Sequence, residues 1–276
     1  MRNIKMKAGL FATIMVVMCA QSGALAQKQL EWKDDIAAGE VAYKAGENQI
    51  AEKCFLSALE KAEKFGPNDP RLGATLNDLG IIYDESQRYE KAETVYKRAL
   101  AIREKALGAN SSDVATTLNN LANLYKDESK YALAEPIYTR VLDIYSKTTG
   151  TDSQFMAMAY SNLGALYRVE GKTKESISSY KKALEVGDKS LGPENAHVIG
   201  IVSRLAEQCA KDGNDADAKI YYKRYLDSTS EAAGLRKNTK TIDDMKQLVK
   251  TLRHDGQTEH AEMVEKAIKY QEEKGQ

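Results

Sequence analysis

The chain has few of the residues that staple or interrupt a fold. Three cysteines in 276 residues cannot build a disulfide scaffold. Cys19 falls in an N-terminal apolar run, so the body holds only Cys54 and Cys209, 155 positions apart. A structural zinc site takes about four close ligands, and this pair does not supply one. Four prolines leave few helix breakers. An excess of one charge is also missing: 40 Lys+Arg stand against 40 Asp+Glu, which leaves no basic excess to hold nucleic acid. No Gly-rich phosphate loop, nucleophile elbow or HExxH motif occurs. Of the three histidines, His254 and His260 lie six apart across a turn and read as solvated surface groups, not a metal pair. Acid pairs such as Asp127 with Glu128 read as solvated helix ends. The expectation is no catalytic residue, no cofactor and no metal.

Long hydrophobic runs are missing as well. The longest, Ala8 to Ala20, has 13 residues, fewer than the ~20 a helix needs to cross a bilayer. Arg2, Lys5 and Lys7 precede it, and Ala24-Leu25-Ala26 follows with small-x-small spacing. This pattern reads as a secretory signal over residues 1–26, cut after Ala26. The product would have 250 residues, three more acids than bases and no membrane span. The chain is therefore expected to be exported, to a periplasm or the exterior.

What remains is rich in Ala, Leu, Glu and Lys, which favour helix. It is also periodic. Gly66, Gly108, Gly150, Gly192 and Gly234 are spaced by 42 residues. Tyr96, Tyr138, Tyr180 and Tyr222 keep that step, as do Leu79, Leu121, Leu163 and Leu205. Each unit reads as two helices. Leu76, Leu79, Gly80 and Tyr83 form one apolar stripe, and Ala92, Tyr96, Ala99 and Leu100 form a second. Between the stripes fall turn slots at Gln87, Ser129, Gly171 and Gly213. The glycine ladder suits helix C-termini, where a positive φ is needed. Ser112-Asp113 and Asp152-Ser153 offer oxygens to cap the helices that follow. Small residues at Gly80, Ala122, Gly164 and Ala206 allow close approach within a pair, and the tyrosines are expected to fill space between neighbouring pairs. Cys54 and Cys209 fall in apolar slots and read as inert core thiols.

The pattern L-x2-L-G-x2-Y followed by A-x3-Y resembles the tetratricopeptide repeat, in the 42-residue form of kinesin light chains. The resemblance implies an all-α, right-handed superhelical solenoid of about six helix pairs. The repeats are expected at 33–70, 71–112, 113–154, 155–196, 197–238 and 239–276, after a short lead at 27–32. The last helix, apolar only at Ala261, Val264, Ala267 and Ile268, reads as a cap. The resemblance also implies that the first helix of each pair lines a concave groove. Asn77, Asn119, Asn123, Lys126 and Arg168 would face inward there. Amides can pair with any extended backbone, and Arg168 offers a fork for a carboxylate. Lys246, Lys250 and Arg253 gather on the last pair as a patch for an acidic partner. The function expected is protein–protein interaction, through an extended peptide or partner helix held in the groove. The alternative is a structural spacer or envelope subunit that uses its convex face or its ends. Neither reading sets an oligomeric state.

Overall fold

The computed structural model describes residues 29–232, 242–254, 256 and 258–274. The expected signal peptide and Gly234 lie outside the described residues. All regular structure among the described residues is helical. α1 covers 29–44. It is followed by α2 (Asn48–Glu63), α3 (Pro70–Glu85), α4 (Tyr89–Leu107) and α5 (Ser112–Asp127). Then come α6 (Tyr131–Thr148), α7 (Gln154–Val169), α8 (Thr173–Ser190), α9 (Ala196–Lys211), α10 (Asp215–Ala232), α11 (Ile242–His254) and α12 (Thr258–Lys274). The chain forms two compact units, one ending at Glu128 and the other beginning at Ser129.

Helix starts repeat because their caps do. Asp69, Ser111, Ser153 and Asn195 each accept a hydrogen bond from a backbone N–H in the first turn of α3, α5, α7 and α9. These positions step by 42. The cap of α5 is thus Ser111; Ser112, expected to cap, is already helical. α3, α5, α7 and α9 consequently begin one residue before the expected repeat boundaries. The boundary at 33 also shifts: α1 is helical from residue 29 and includes Trp32. Trp32 Nε1 donates to Thr75 Oγ1 at 3.0 Å, and its ring meets Phe65 edge-on. The described part of the supposed lead therefore belongs to the first helix, and its indole packs against the core beside α3.

The turn slots are left-handed. Gln87 and Ser129 have φ of 57° and 60°, and Gly171 and Gly213 have 77° and 75°. The next N–H reaches back five residues, from Arg88 to the Tyr83 carbonyl at 2.8 Å and from Lys172 to Tyr167 at 2.9 Å. That bond satisfies a carbonyl the ending helix would otherwise leave unpaired. The glycines expected at the far ends also have positive φ, at Gly66, Gly108, Gly150 and Gly192.

In the first unit Phe55 packs over Gly39, and Tyr96 over Gly80; a Cβ on either glycine would overlap the ring. In the second unit a Cβ on Gly164 would stand 2.9 Å from the Tyr180 ring. The aromatic side chain thus packs within its own pair, over the small residue 16 positions earlier, rather than only between pairs as expected. At two junctions a tyrosine hydroxyl joins the second helix of one pair to the first helix of the next. Tyr125 donates to Glu93 at 2.8 Å in the first unit, and Tyr167 donates to Glu135 at 2.8 Å in the second. One repeat on, Cys209 replaces the tyrosine and Ile177 the glutamate. Both join the apolar core of the second unit, so the polar pair is exchanged as a pair.

The end of the second unit departs from expectation. α12 is buried more widely than expected, with Ala261, Val264, Ala267 and Ile268 joined by Met263 and Tyr270. The Tyr270 ring lies tilted against that of Tyr222 of α10, with centroids 5.1 Å apart, and its hydroxyl donates to Asp215 Oδ1 at 2.9 Å. Lys266 pairs with Glu207 of α9 at 2.5 Å. α12 is therefore an inner helix and not the cap. α11 packs on it through Met245, Val249 and Leu252 and exposes Lys246, Lys250 and Arg253. Met263 and Tyr270, a second apolar stripe on α12, are the sequence signal for this burial.

Candidate binding face

In the first unit, α3 and α5 carry the expected amides. Asn77 is only 4% exposed, so it does not open onto a groove as expected. Its Oδ1 accepts from Asn120 Nδ2 at 3.1 Å, a bond that ties α3 to α5. Its neighbour Asp78 is half-buried. Burial pushes the Asp78 carboxyl up to about 6, against the opposing effects of the Asn77 amide and Arg103. Arg103 is itself buried and donates to Thr117 Oγ1 at 2.7 Å and to the Asp113 carbonyl at 2.9 Å. Asn119 and Asn123 are half-buried on α5. Lys126 lies 3.3 Å from Asp127. Burial, helped by the charge of Asp127, raises the Asp84 carboxyl to about 6. This face joins amides to carboxylates that are only weakly acidic.

The second unit presents a more basic face. Arg168 is exposed at the end of α7. Ser203 and Arg204 of α9 are half-buried, and Arg204 Nη1 lies where Gly200 has no Cβ, 3.2 Å from the position one would take. Half-buried His197 has its pKa lowered by burial and by the Arg204 charge. Of the other expected cations, Lys246 pairs with Glu272 at 3.4 Å and Arg253 with Glu265 at 2.9 Å. Those pairs join α11 to α12, so two members of the expected patch already have acidic partners within the chain. Lys250 is exposed beside them.

Asn120 and Arg204 were not among the expected site residues. They share a slot with Asp78 and Asn162, 42 residues apart and directly before the repeated leucines. Four polar residues in one register position are the signal that marks them. Among the described residues no cluster of three or more metal-ligating side chains occurs. No helix of the described residues is long and apolar enough to cross a membrane.

The tetratricopeptide repeat profile matches residues 35–105, 86–147, 113–189 and 155–231. The chain belongs to the tetratricopeptide repeat family. No curated protein matches it in sequence. Among solved structures, BtubC (BKLC) from P. vanneervenii is similar, with TM-score 0.65 and 24% identity over 81% of this chain and 93% of that one. A candidate kinesin light chain from Podosopora anserina, with nearly identical TPR-like repeats, gives 0.61 at 16% identity over 72% and 95%. The pilF protein of Pseudomonas aeruginosa gives 0.55 at 16% identity over 86% and 90%. At such identities the likeness concerns the fold. Tetratricopeptide repeats are protein-interaction scaffolds, and that is the coarse function of this chain.

Proposed function

We propose that this tetratricopeptide repeat protein is exported, catalyses no reaction, and holds an extended segment or helix of a partner protein against the first helices of its repeats. The observation that carries this reading is that those helices are not sealed on one side. Asn119 and Asn123 of the first unit stay half-buried, and Arg168 of the second unit is exposed. Neighbouring positions such as Leu121, Leu124 and Leu166 are closed off in the cores. Polar side chains left open beside a packed stripe can exchange water for a partner's backbone.

The test compares capture of the partner that co-purifies with the native protein. Asn119→Ala with Asn123→Ala should weaken capture at least tenfold, about 1.4 kcal/mol. Lys97→Ala with Arg98→Ala, on the second helix α4, should capture normally; those side chains already pair with Glu93 and Glu63. The reverse pattern favours the spacer reading, in which other surfaces make the contacts. Intact mass of native protein tests export, with a product starting at Gln27 expected.

A further inference from the structure

On the second unit, α12 closes one end of the face carried by α7 and α9. A cavity of about 380 Å³ lies there, bordered by Arg168 of α7, by Ser203 and Arg204 of α9 and by Lys266 of α12. Its charges are unevenly matched. Lys266 is held by Glu207 at 2.5 Å. Arg168 and Arg204 form no ion pair with an acid among the described residues. Both guanidinium groups are charged neighbours of the Tyr180 hydroxyl, which is buried without a hydrogen-bond partner of good geometry. Gly200 leaves room for the Arg204 fork. Ile199 and Met263 add apolar surface to the wall. An arginine fork stays charged at all ordinary pH and matches a carboxylate in two parallel hydrogen bonds.

We propose that this cavity binds one acidic side chain, Asp or Glu, of a partner's extended segment, with an adjoining aliphatic residue against Ile199 and Met263. Glu207 and Glu262 also border the cavity, and they disfavour an unbroken acidic run. The preferred sequence is therefore a single acid between apolar residues. This proposal rests on the interaction reading above and assigns the chemistry of its ligand.

The probe is a fluorescein-labelled peptide, Gly-Leu-Glu-Leu-Gly, compared by anisotropy with its Gln counterpart. The wild-type chain should bind the Glu peptide at least tenfold more tightly, and added NaCl should weaken that binding. Arg168→Gln with Arg204→Gln should bring the two affinities together. Should the double variant lose its circular-dichroism melt, Arg168→Gln alone, at an exposed site, should still narrow the preference. Equal affinity of the two peptides for wild type, or an undiminished preference in the folded variants, overturns the proposal. The partner-capture assay separates the two readings. If the Glu preference is absent but Asn119→Ala with Asn123→Ala still lowers capture, the cavity assignment falls and the interaction reading stands. If no variant changes capture, the interaction reading falls too.

Discussion

The left-handed turn slot allows a test by sign. Gly171 sits at φ 77° and Gln87 at φ 57°, in corresponding turns of two repeats. A Cβ added at Gly171 would meet nothing within 4 Å. Gly171→Ala therefore changes backbone energetics and no contact. Placing a residue with a Cβ in the left-handed region costs about 1–2 kcal/mol. Restricting the unfolded chain returns about 0.4–1 kcal/mol. The net expectation is a loss of about 1 kcal/mol for Gly171→Ala. Gln87→Gly runs the same argument backwards, and its exposed side chain gives up little; it should gain about as much. Urea unfolding reads both as midpoint shifts of opposite sign at unchanged slope. Thermal unfolding should move by about 2–4 °C each way. A higher midpoint for Gly171→Ala, or a lower one for Gln87→Gly, refutes the reasoning.

Tyr138 is fully buried, so Tyr138→Ala should cost about 3–5 kcal/mol; an unmoved guanidinium midpoint would contradict its place in the core. The Asp78 carboxyl is raised from 3.8 to about 6, so its contribution to stability is complete below about pH 4 and is lost as pH rises through 6. Asp78→Asn should accordingly stabilise the chain at pH 7–8 by up to about 2–3 kcal/mol and have no such effect at pH 4, which melts at the two pH values would show. Cys209 is buried with its thiol pushed up to about 11, whereas Cys54 is half-buried. A thiol-specific reagent should label Cys54 first under native conditions, and equal rates would argue against the burial of Cys209.

Much of the fold was legible because its contacts recur at fixed sequence distance. Gly80 under Tyr96 and Gly164 under Tyr180 are both separated by 16 residues. Tyr125 with Glu93 and Tyr167 with Glu135 are both separated by 32. Such contacts lie within a pair or between consecutive helices, so any repeat that keeps the residues keeps the contact. Caps and left-handed turns are more local still, which is why the 42-residue step predicted the turns and missed the α5 cap by one residue. Cys54 is not a core thiol because its register slot, shared with Val95 and Ile137, is only half-buried in each of these repeats, whereas Cys209 occupies the buried slot of Tyr83 and Tyr125. The binding face was less legible for a different reason. Whether Asn77 is wet depends on Asn120 crossing from α5, 43 residues away. Whether Lys246 and Arg253 are available depends on acids of α12. The cavity at Arg168 and Arg204 exists because α12 packs inward against α9 and α10 through Lys266 and Tyr270. Sequence alone determined the helix pairs, since those rest on short-range periodic burial. Only tertiary structure decided which polar side chains face one another, since that depends on how the last pair packs against helices outside the repeat register.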